Sequence, residues 1–256
     1  MARLKAASFD DRMTLVEHLD ELRTRIIVSL GALGVAFALC FWQNQLLLEI
    51  ANEALPSDQK PITLSPTEPF FTTVEVAGYG AAILALPVIL YQAYSFVLPA
   101  FSDHERRVIL PFLIAIPFLF LAGVAFAYFV VMPVAINFLL NFNESEFGIQ
   151  VRAREYYGFL GLMLLGMGLL FQIPIVMLSL TRLEIVGPNW FAENRRYAIF
   201  IISVISAAAP GGDPVSMMLI MVPLVLLYEA SIVVARRFGH PPGEKVASDP
   251  SPGEAG

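Results

Sequence analysis

Four long stretches of this chain contain no charged residue, and charged side chains flank each of them. They cover residues 26–46, 76–97, 108–132 and 156–180. A helix needs roughly 20 apolar residues to cross the hydrocarbon core of a bilayer. Lipid offers no partner for free backbone groups, so each stretch must be helical. Because 57% of the residues are apolar and only 15% are charged, we predict a multi-pass membrane protein.

Two further apolar stretches are shorter. Residues 197–209 would form about 20 Å of helix, whereas the hydrocarbon core is about 30 Å thick. Residues 215–235 place only 14 uncharged residues before Glu229. This pair either forms a re-entrant hairpin or spans where the bilayer thins, and both options return the chain to the same side. We therefore predict an all-α integral membrane protein with six transmembrane helices, the last two short.

The positions of Lys and Arg predict the orientation. If the spans alternate, 13 of these residues lie on one side of the membrane and only 3, namely Lys60, Arg152 and Arg154, on the other. Cytoplasmic loops carry the excess of Lys and Arg, so both termini are predicted to be cytoplasmic. The N-terminal residues do not have the pattern of a signal peptide. Residues 238–256 are rich in Pro, Gly and Ser and are predicted to be a disordered cytoplasmic tail.

Several classes of function find little support in the chain. The single cysteine, Cys40, lies within an apolar run and excludes an internal disulfide or a Cys-rich metal site. No dense basic stripe indicates nucleic acid, and we expect neither a metal nor a cofactor. Metalloprotease and nucleophile-elbow motifs are absent, which argues against an intramembrane enzyme. A secondary transporter or channel for a small solute is the alternative function, although no internal repeat supports it.

A short segment before the first span has the pattern of an amphipathic helix, predicted over about residues 14–25. One stripe at 3.6-residue spacing is apolar and the opposite face is polar. The apolar stripe consists of Leu15, Leu19, Leu22 and Ile26, and the polar face of Thr14, His18, Glu21 and Arg25.

Two glutamates on the predicted cytoplasmic side, Glu21 and Glu105, allow two interpretations. In the first they are structural: Glu21 pairs with Arg25 four residues on, and residues 102–105 form a capping box that opens the third span. In the second each carboxylate binds a guanidinium of a cationic ligand, where Lys does not replace Arg. Spacing alone leaves both open.

Five motifs of the chain resemble those of the TatC family, the multi-spanning core subunit of the twin-arginine protein translocase. They are EHLDELRTR (17–25), SPTEPFF (65–71), PVILYQAYSFVLPAF (87–101), DHERR (103–107) and AFAYFVVMPVA (125–135). The resemblance covers about residues 14–237, which we expect to form a single transmembrane domain. It implies six helices in a cupped, concave arrangement in the bacterial cytoplasmic membrane.

The resemblance also implies the function and the partners. Members of the family export folded proteins whose signal peptides carry an Arg-Arg pair, and the proton-motive force drives transport. They work with single-span TatA-like and TatB-like subunits within the lipid membrane, and we expect self-association as well.

Individual residues acquire expected roles from the same motifs. Glu21 and Glu105 are expected to hold the arginines of the signal peptide. Other members of the expected cytoplasmic surface are Arg23, Arg25, Arg107, His18 and Phe96, together with turns at Pro87 and Pro99. Phe70 and Phe71 are expected to shape the cap formed by the first periplasmic loop, and Asp213 matches an acidic position between the last two helices. Gln172 stands where many members of the family carry an intramembrane glutamate, so a charge-based role is not expected there.

Overall fold

The described part of the chain is helical almost throughout. A computed structural model describes the backbone of residues 15–56, 59–97, 103–143, 145–146, 148–182, 185–187, 189–208 and 213–238, and the side chains of these except residues 15–17, 103–113 and 238. The helices are α1 (Leu15–Trp42), α2 (Asn44–Asn52), α3 (Glu68–Val97), α4 (Asp103–Phe126), a π-helical turn (Ala127–Val131), α5 (Met132–Asn141), α6 (Ala153–Leu170), α7 (Ile173–Arg182), α8 (Trp190–Glu193), α9 (Arg195–Ala208) and α10 (Pro214–Phe238).

Five segments in the described ranges are long and apolar enough to cross a membrane: His18–Trp42, Glu68–Val97, Ile114–Asn141, Ala153–Arg182 and Pro214–Arg237. The all-helical, multi-span prediction is therefore confirmed. The prediction that the last two helices are both short is wrong for α10, which has 25 residues. Of these last two helices only α9 is short, because its 14 residues correspond to about 21 Å.

Glu229 lies inside α10, within the span predicted over residues 215–235. Its Oε2 accepts a hydrogen bond from Arg195 Nη2 of α9 at 2.8 Å, a partner that the sequence pattern did not reveal. A carboxylate with a cationic partner can lie within the last turns of a membrane helix, and α10 continues to Phe238, three residues past the predicted end.

The first span differs from the prediction at its start. The amphipathic segment is not a separate helix, because α1 runs without interruption from Leu15 to Trp42. A short α2 follows, and the connection from residue 53 to residue 67 leads to α3. That helix begins at Glu68, eight residues before the predicted start of the second span, and contains Pro87 in its interior.

The third span continues to Asn141, nine residues past its predicted end at Met132. The chain stays helical through Pro133 because a π-helical turn precedes it, in which Met132 N–H donates to the carbonyl of Ala127 five residues earlier. In a regular helix the proline ring would clash with the carbonyl four residues before it. The wider turn relieves this clash, so the chain remains helical.

The fourth span is divided at Phe171 and Gln172 into α6 and α7. Pro174 lies in the first turn of α7, where a missing N–H does no harm. It cannot continue a regular helix from α6, which explains why the predicted helix over 156–180 is two helices.

The helices pack around α6, which contacts both α3 and α4, while α1 packs along α3 and α10 contacts α7 and α9. Small buried residues let α1 and α3 approach closely. These residues are Ala36 and Cys40 of α1 and Ala77, Ala81 and Ala85 of α3.

Glycines allow α4 and α6 to approach each other closely as well. A Cβ atom on Gly123 would lie 2.7 Å from the carbonyl oxygen of Met167 and 2.9 Å from Cα of Gly168. On Gly168 a Cβ would lie 2.5 Å from the ring of Phe120. We call the contact between Gly123 and Gly168 the glycine seam.

The molecule has two ends along the helix axes. The entry end is where α1 begins, α3 ends and α4 begins. The loop end carries the connections over residues 53–67 and 142–152. There, Ile62 N–H donates to Val151 O and Ala153 N–H donates to Ile62 O, both at 2.8 Å, so the two connections are joined.

Candidate surface for a cationic ligand at the entry end

The polar face of α1 points into the protein, and its apolar face points outward. Leu19 and Ile26 are 64% and 49% exposed, whereas His18, Glu21 and Arg25 are partly buried. These three polar residues continue the stripe that packs against α3 further along the helix. Such an arrangement suits a membrane helix, whose apolar side chains face lipid while its polar groups find protein partners.

Arg25 fixes the carboxylate of Glu21. Arg25 Nε donates to Glu21 Oε1 at 2.9 Å, and Arg25 Nη2 donates to the same oxygen. The third donor, Nη1, bonds to Oε1 of Gln92 in α3 at 3.0 Å. The side chains of Glu21 and Arg25 are only 18% and 22% exposed, so the pair is tied to two helices and partly shielded from solvent.

The second carboxylate oxygen of Glu21 has no hydrogen-bond partner among the described residues, although it is buried. The nearest cationic candidate is Nδ1 of His18, at 3.9 Å, which is beyond hydrogen-bonding distance. The ring of His18 stacks on Phe96 of α3 with 4.1 Å between the ring centroids. Among the described residues, Glu21 therefore has one carboxylate oxygen whose lone pairs accept no hydrogen bond.

The other predicted residues of this surface are placed differently. Arg23 is exposed on a different face of α1. Pro87 lies inside α3, ten residues before the helix ends, so the prediction of a turn there is wrong. The backbone of Glu105 and Arg107 lies in the first turns of α4 at the entry end. Their side chains, and all of Pro99, lie outside the described residues.

The loop end contains the sequence-predicted residues Phe70, Phe71 and Asp213. Phe70 and Phe71 contact each other edge to face with 5.5 Å between ring centroids, and both are exposed. Asp213 caps α10, because its Oδ1 accepts hydrogen bonds from the N–H groups of Val215 and Ser216 at 3.1 and 2.8 Å.

Gln172 lies at the break between α6 and α7 and is 4% exposed. Its Nε2 donates to the carbonyl of Ile116 in α4 at 3.2 Å, and its Oε1 is buried without a hydrogen-bond partner among the described residues. The side chain therefore faces protein within the span.

An ion pair at the loop end escaped the sequence analysis. Arg152 Nε donates to Oε1 of the buried Glu68 at 2.9 Å, and Oε2 of Glu68 accepts from Leu64 N–H at 2.9 Å. The hydrogen bond to Glu68 raises the pKa of Arg152 above its ordinary value. Because the partners are 84 residues apart in the chain, no local spacing could have revealed them.

Within the ranges the structure covers, no three His, Cys, Asp or Glu residues lie close enough together to hold a metal ion. The ion pairs described above lie towards the helix ends, and the long spans are apolar. These features define an integral membrane protein with its ion pairs towards the two ends.

The comparisons with known proteins identify the family. The model of the family described as Sec-independent protein translocase protein (TatC) matches residues 17–223. The TatC protein of Desulforapulum autotrophicum is 35% identical over 234 residues, covering 90% of this chain and 87% of that protein. The chain belongs to the TatC family and is therefore the TatC component of a twin-arginine translocase, a protein-transport subunit and not an enzyme.

Solved structures agree with this assignment. A crystal structure of the twin arginine translocase receptor TatC is similar with a TM-score of 0.74 and 35% identity, covering 86% of this chain and 99% of that one. A second structure of the receptor, obtained in the detergent DDM, has a TM-score of 0.76 and 37% identity, covering 85% and 99%.

Proposed function

We propose that this chain is the signal-peptide receptor of its translocase, and that the entry end faces the cytoplasm and binds the Arg-Arg pair of the signal. The predicted distribution of Lys and Arg, 13 on the side of the entry end and 3 on the other, supports this orientation. The two similar solved structures are both of a twin arginine translocase receptor.

The unpartnered Oε2 of Glu21 carries the proposal. Arg25 donates twice to Oε1 and holds the side chain in place. The buried Oε2, which has no partner among the described residues, is therefore a preorganised acceptor. One guanidinium of the signal peptide would donate to this oxygen. A hydrogen bond between charged groups contributes about 1.5–3 kcal/mol, and the fixed carboxylate loses little further entropy on binding.

The second arginine is assigned to Glu105. Its backbone lies at the start of α4, at the same end as Glu21, and the adjacent arginines of a signal peptide would need two acceptors. Arg107 and Arg23 would balance the negative charge of this surface. His18 and Phe96, stacked on one another, would form its apolar edge.

The same orientation places α9 beside α10 as a sixth crossing. Its length of about 21 Å requires a locally thinned bilayer. Both termini are then cytoplasmic, in the bacterial inner membrane. TatA-like and TatB-like subunits and further copies of this chain would complete the machine, which the proton-motive force drives. Gln172, being neutral, would serve packing rather than proton coupling.

The variant Glu21→Gln tests the proposal because it keeps the shape of the side chain and removes its charge. Asp20→Asn is the matched control: it removes a carboxylate from the neighbouring, exposed position of the same helix. Binding of a fluorescent twin-arginine signal peptide to the full chain in nanodiscs should weaken about 10- to 150-fold for Glu21→Gln and remain unchanged for Asp20→Asn.

A signal peptide with Lys-Lys in place of Arg-Arg provides a second comparison. It should bind weakly to the wild type, because the lysine ammonium lacks the planar guanidinium donors. For the same reason, Glu21→Gln should reduce its affinity little further. Equal losses of affinity for the Arg-Arg and Lys-Lys peptides, or for Glu21→Gln and Asp20→Asn, would show that Glu21 is not the acceptor.

A further inference from the structure

A cavity of about 540 Å³ lies between helices towards the loop end. Its walls come from α2, α3, α6, the end of α4 and the π-helical turn that follows it. All the contributing residues except those of α2 belong to candidate membrane spans. Along the helix axes, the cavity is distant from Glu21 and Gln92. It is therefore separate from the surface assigned to the arginine pair.

The lining of this cavity offers no free hydrogen-bond donor to an occupant. The side chains are aliphatic or aromatic, and the hydroxyls of its three tyrosines bond to other parts of the protein. Tyr79 donates to Glu75 Oε1 at 3.2 Å, Tyr128 to Ile50 O at 2.6 Å and Tyr157 to Asn52 Oδ1 at 2.8 Å. An occupant must therefore be apolar over its whole buried length, because unpaired polar groups are costly there.

The dimensions fit a thin, flexible chain. Along α3 the lining runs from Val76 to Leu84, which is about 12 Å of helix. Half of the hydrocarbon core is about 15 Å. A helix about 10 Å across fills roughly 420 Å³ per 5.4 Å turn, so a docked transmembrane helix would exceed this volume after little more than one turn. One acyl chain of a single leaflet matches this depth and is thin enough to fit the volume.

The route into the cavity is lateral. Leu84 of α3 and Leu121 and Phe129 of the third span are exposed at its rim, so the opening faces the bilayer between these two helices. The roof is closed, because Tyr128, Tyr156 and Tyr157 donate hydrogen bonds to three consecutive residues, 50–52, at the end of α2. We call this arrangement the tyrosine clamp.

We propose that this cavity is a lipid site that holds one acyl chain of a phospholipid from the leaflet at the loop end. The acyl chain enters sideways from the bilayer and packs against Leu160 and Leu164 of α6, beneath the clamped α2. Its headgroup remains at the membrane surface beside α2, where Glu49 and Glu53 are exposed. The site depends on neither Glu21 nor the signal peptide.

Photolabelling of the wild type tests the proposal directly. The full chain is placed in nanodiscs of phosphatidylethanolamine and phosphatidylglycerol that contain a phospholipid with a diazirine in its acyl chain. After irradiation, mass spectrometry of peptides should find label concentrated at Ile83, Leu160 and Leu164, above the level on the exposed faces of α1 and α9. Label spread evenly over the exposed faces, with none on these residues, would overturn the proposal.

Two variants of α4 provide a matched comparison. Ala125→Trp places an indole at the cavity, whereas Ala122→Trp places the same group on an exposed position of α4 that does not line it. Ala125→Trp should reduce labelling of Leu160 and Leu164 several-fold, and Ala122→Trp should leave it unchanged. Equal labelling in both variants would refute the site.

A diazirine in the hydrophobic segment of a twin-arginine signal peptide tests the competing occupant. It should not label Leu160 or Leu164. Labelling of these residues by the peptide, accompanied by loss of lipid labelling, would assign the cavity to the signal peptide instead.

Discussion

Adding one methyl group to the glycine seam should destabilise the protein measurably. In Gly123→Ala the new Cβ would lie 2.7 Å from the carbonyl oxygen of Met167 and 2.9 Å from Cα of Gly168. Both neighbours are backbone atoms of α6, so neither can rotate away. The two helices must separate along the contact that joins α4 to the centre of the fold.

The magnitude follows from two opposing effects. Overpacking in a well-packed interior costs about 1–3 kcal/mol, and contacts with backbone place this site near the upper limit. Replacing Gly by Ala within a helix returns about 0.5–1 kcal/mol. We therefore expect a net loss of about 2 kcal/mol in the free energy of unfolding.

Gly166→Ala is the control, because a Cβ on Gly166 of α6 meets nothing within 4 Å. It has the same helix-propensity gain without the clash, so it should be neutral or slightly stabilising. The difference between the two variants isolates the steric cost, expected at about 2–3 kcal/mol. Reversible unfolding in mixed micelles with increasing SDS, followed by circular dichroism, measures both values under the same conditions.

The result that would refute the reasoning is equal stability of the two variants. It would mean that α4 and α6 do not approach each other at Gly123 and Gly168 as closely as described. Gly168→Ala is expected to cost less than Gly123→Ala, because its closest neighbour is the side-chain ring of Phe120 rather than backbone.

Two further predictions concern the loop end. Tyr156→Phe removes the donor to the carbonyl of Ala51 and should lower the free energy of unfolding by about 1–3 kcal/mol. The control, Tyr91→Phe at an exposed position, should change it little, and equal effects would contradict a specific role for the clamp. Because the native cysteine is buried, Ser145→Cys should react with a membrane-impermeant maleimide added to spheroplasts, whereas Asp20→Cys should react only after permeabilisation. The reverse pattern would invert the proposed orientation.

The membrane spans could be predicted from the sequence because long apolar runs impose helices in lipid. Their ends were harder to predict. The third span was expected to end at Met132, but the π-helical turn before Pro133 keeps the chain helical. The last span was expected to run through Glu229, but the sequence did not show that Arg195 pairs with it. In both cases the decisive partner or turn lies outside the local pattern.

Local spacing in the sequence also predicted part of the candidate site. Spacing along α1 placed Glu21 and Arg25 on one face, and the structure brings them together. Spacing could not show that Gln92 binds the same arginine, because this contact depends on how α1 lies against α3. It also could not show that only one oxygen of the glutamate is unpartnered among the described residues.

The π-helical turn at Ala127–Val131 also sets the angular register of everything that follows it. An α-helix advances about 100° per residue, so an extra residue in a regular helix would rotate the side chains that follow by that angle. The wider turn absorbs the extra residue, and Met132 and Ile136 remain buried. Deleting one residue within the turn would therefore restore a regular helix with both side chains still facing the interior. At this point of the third span a change in length is absorbed instead of being passed on to the packing.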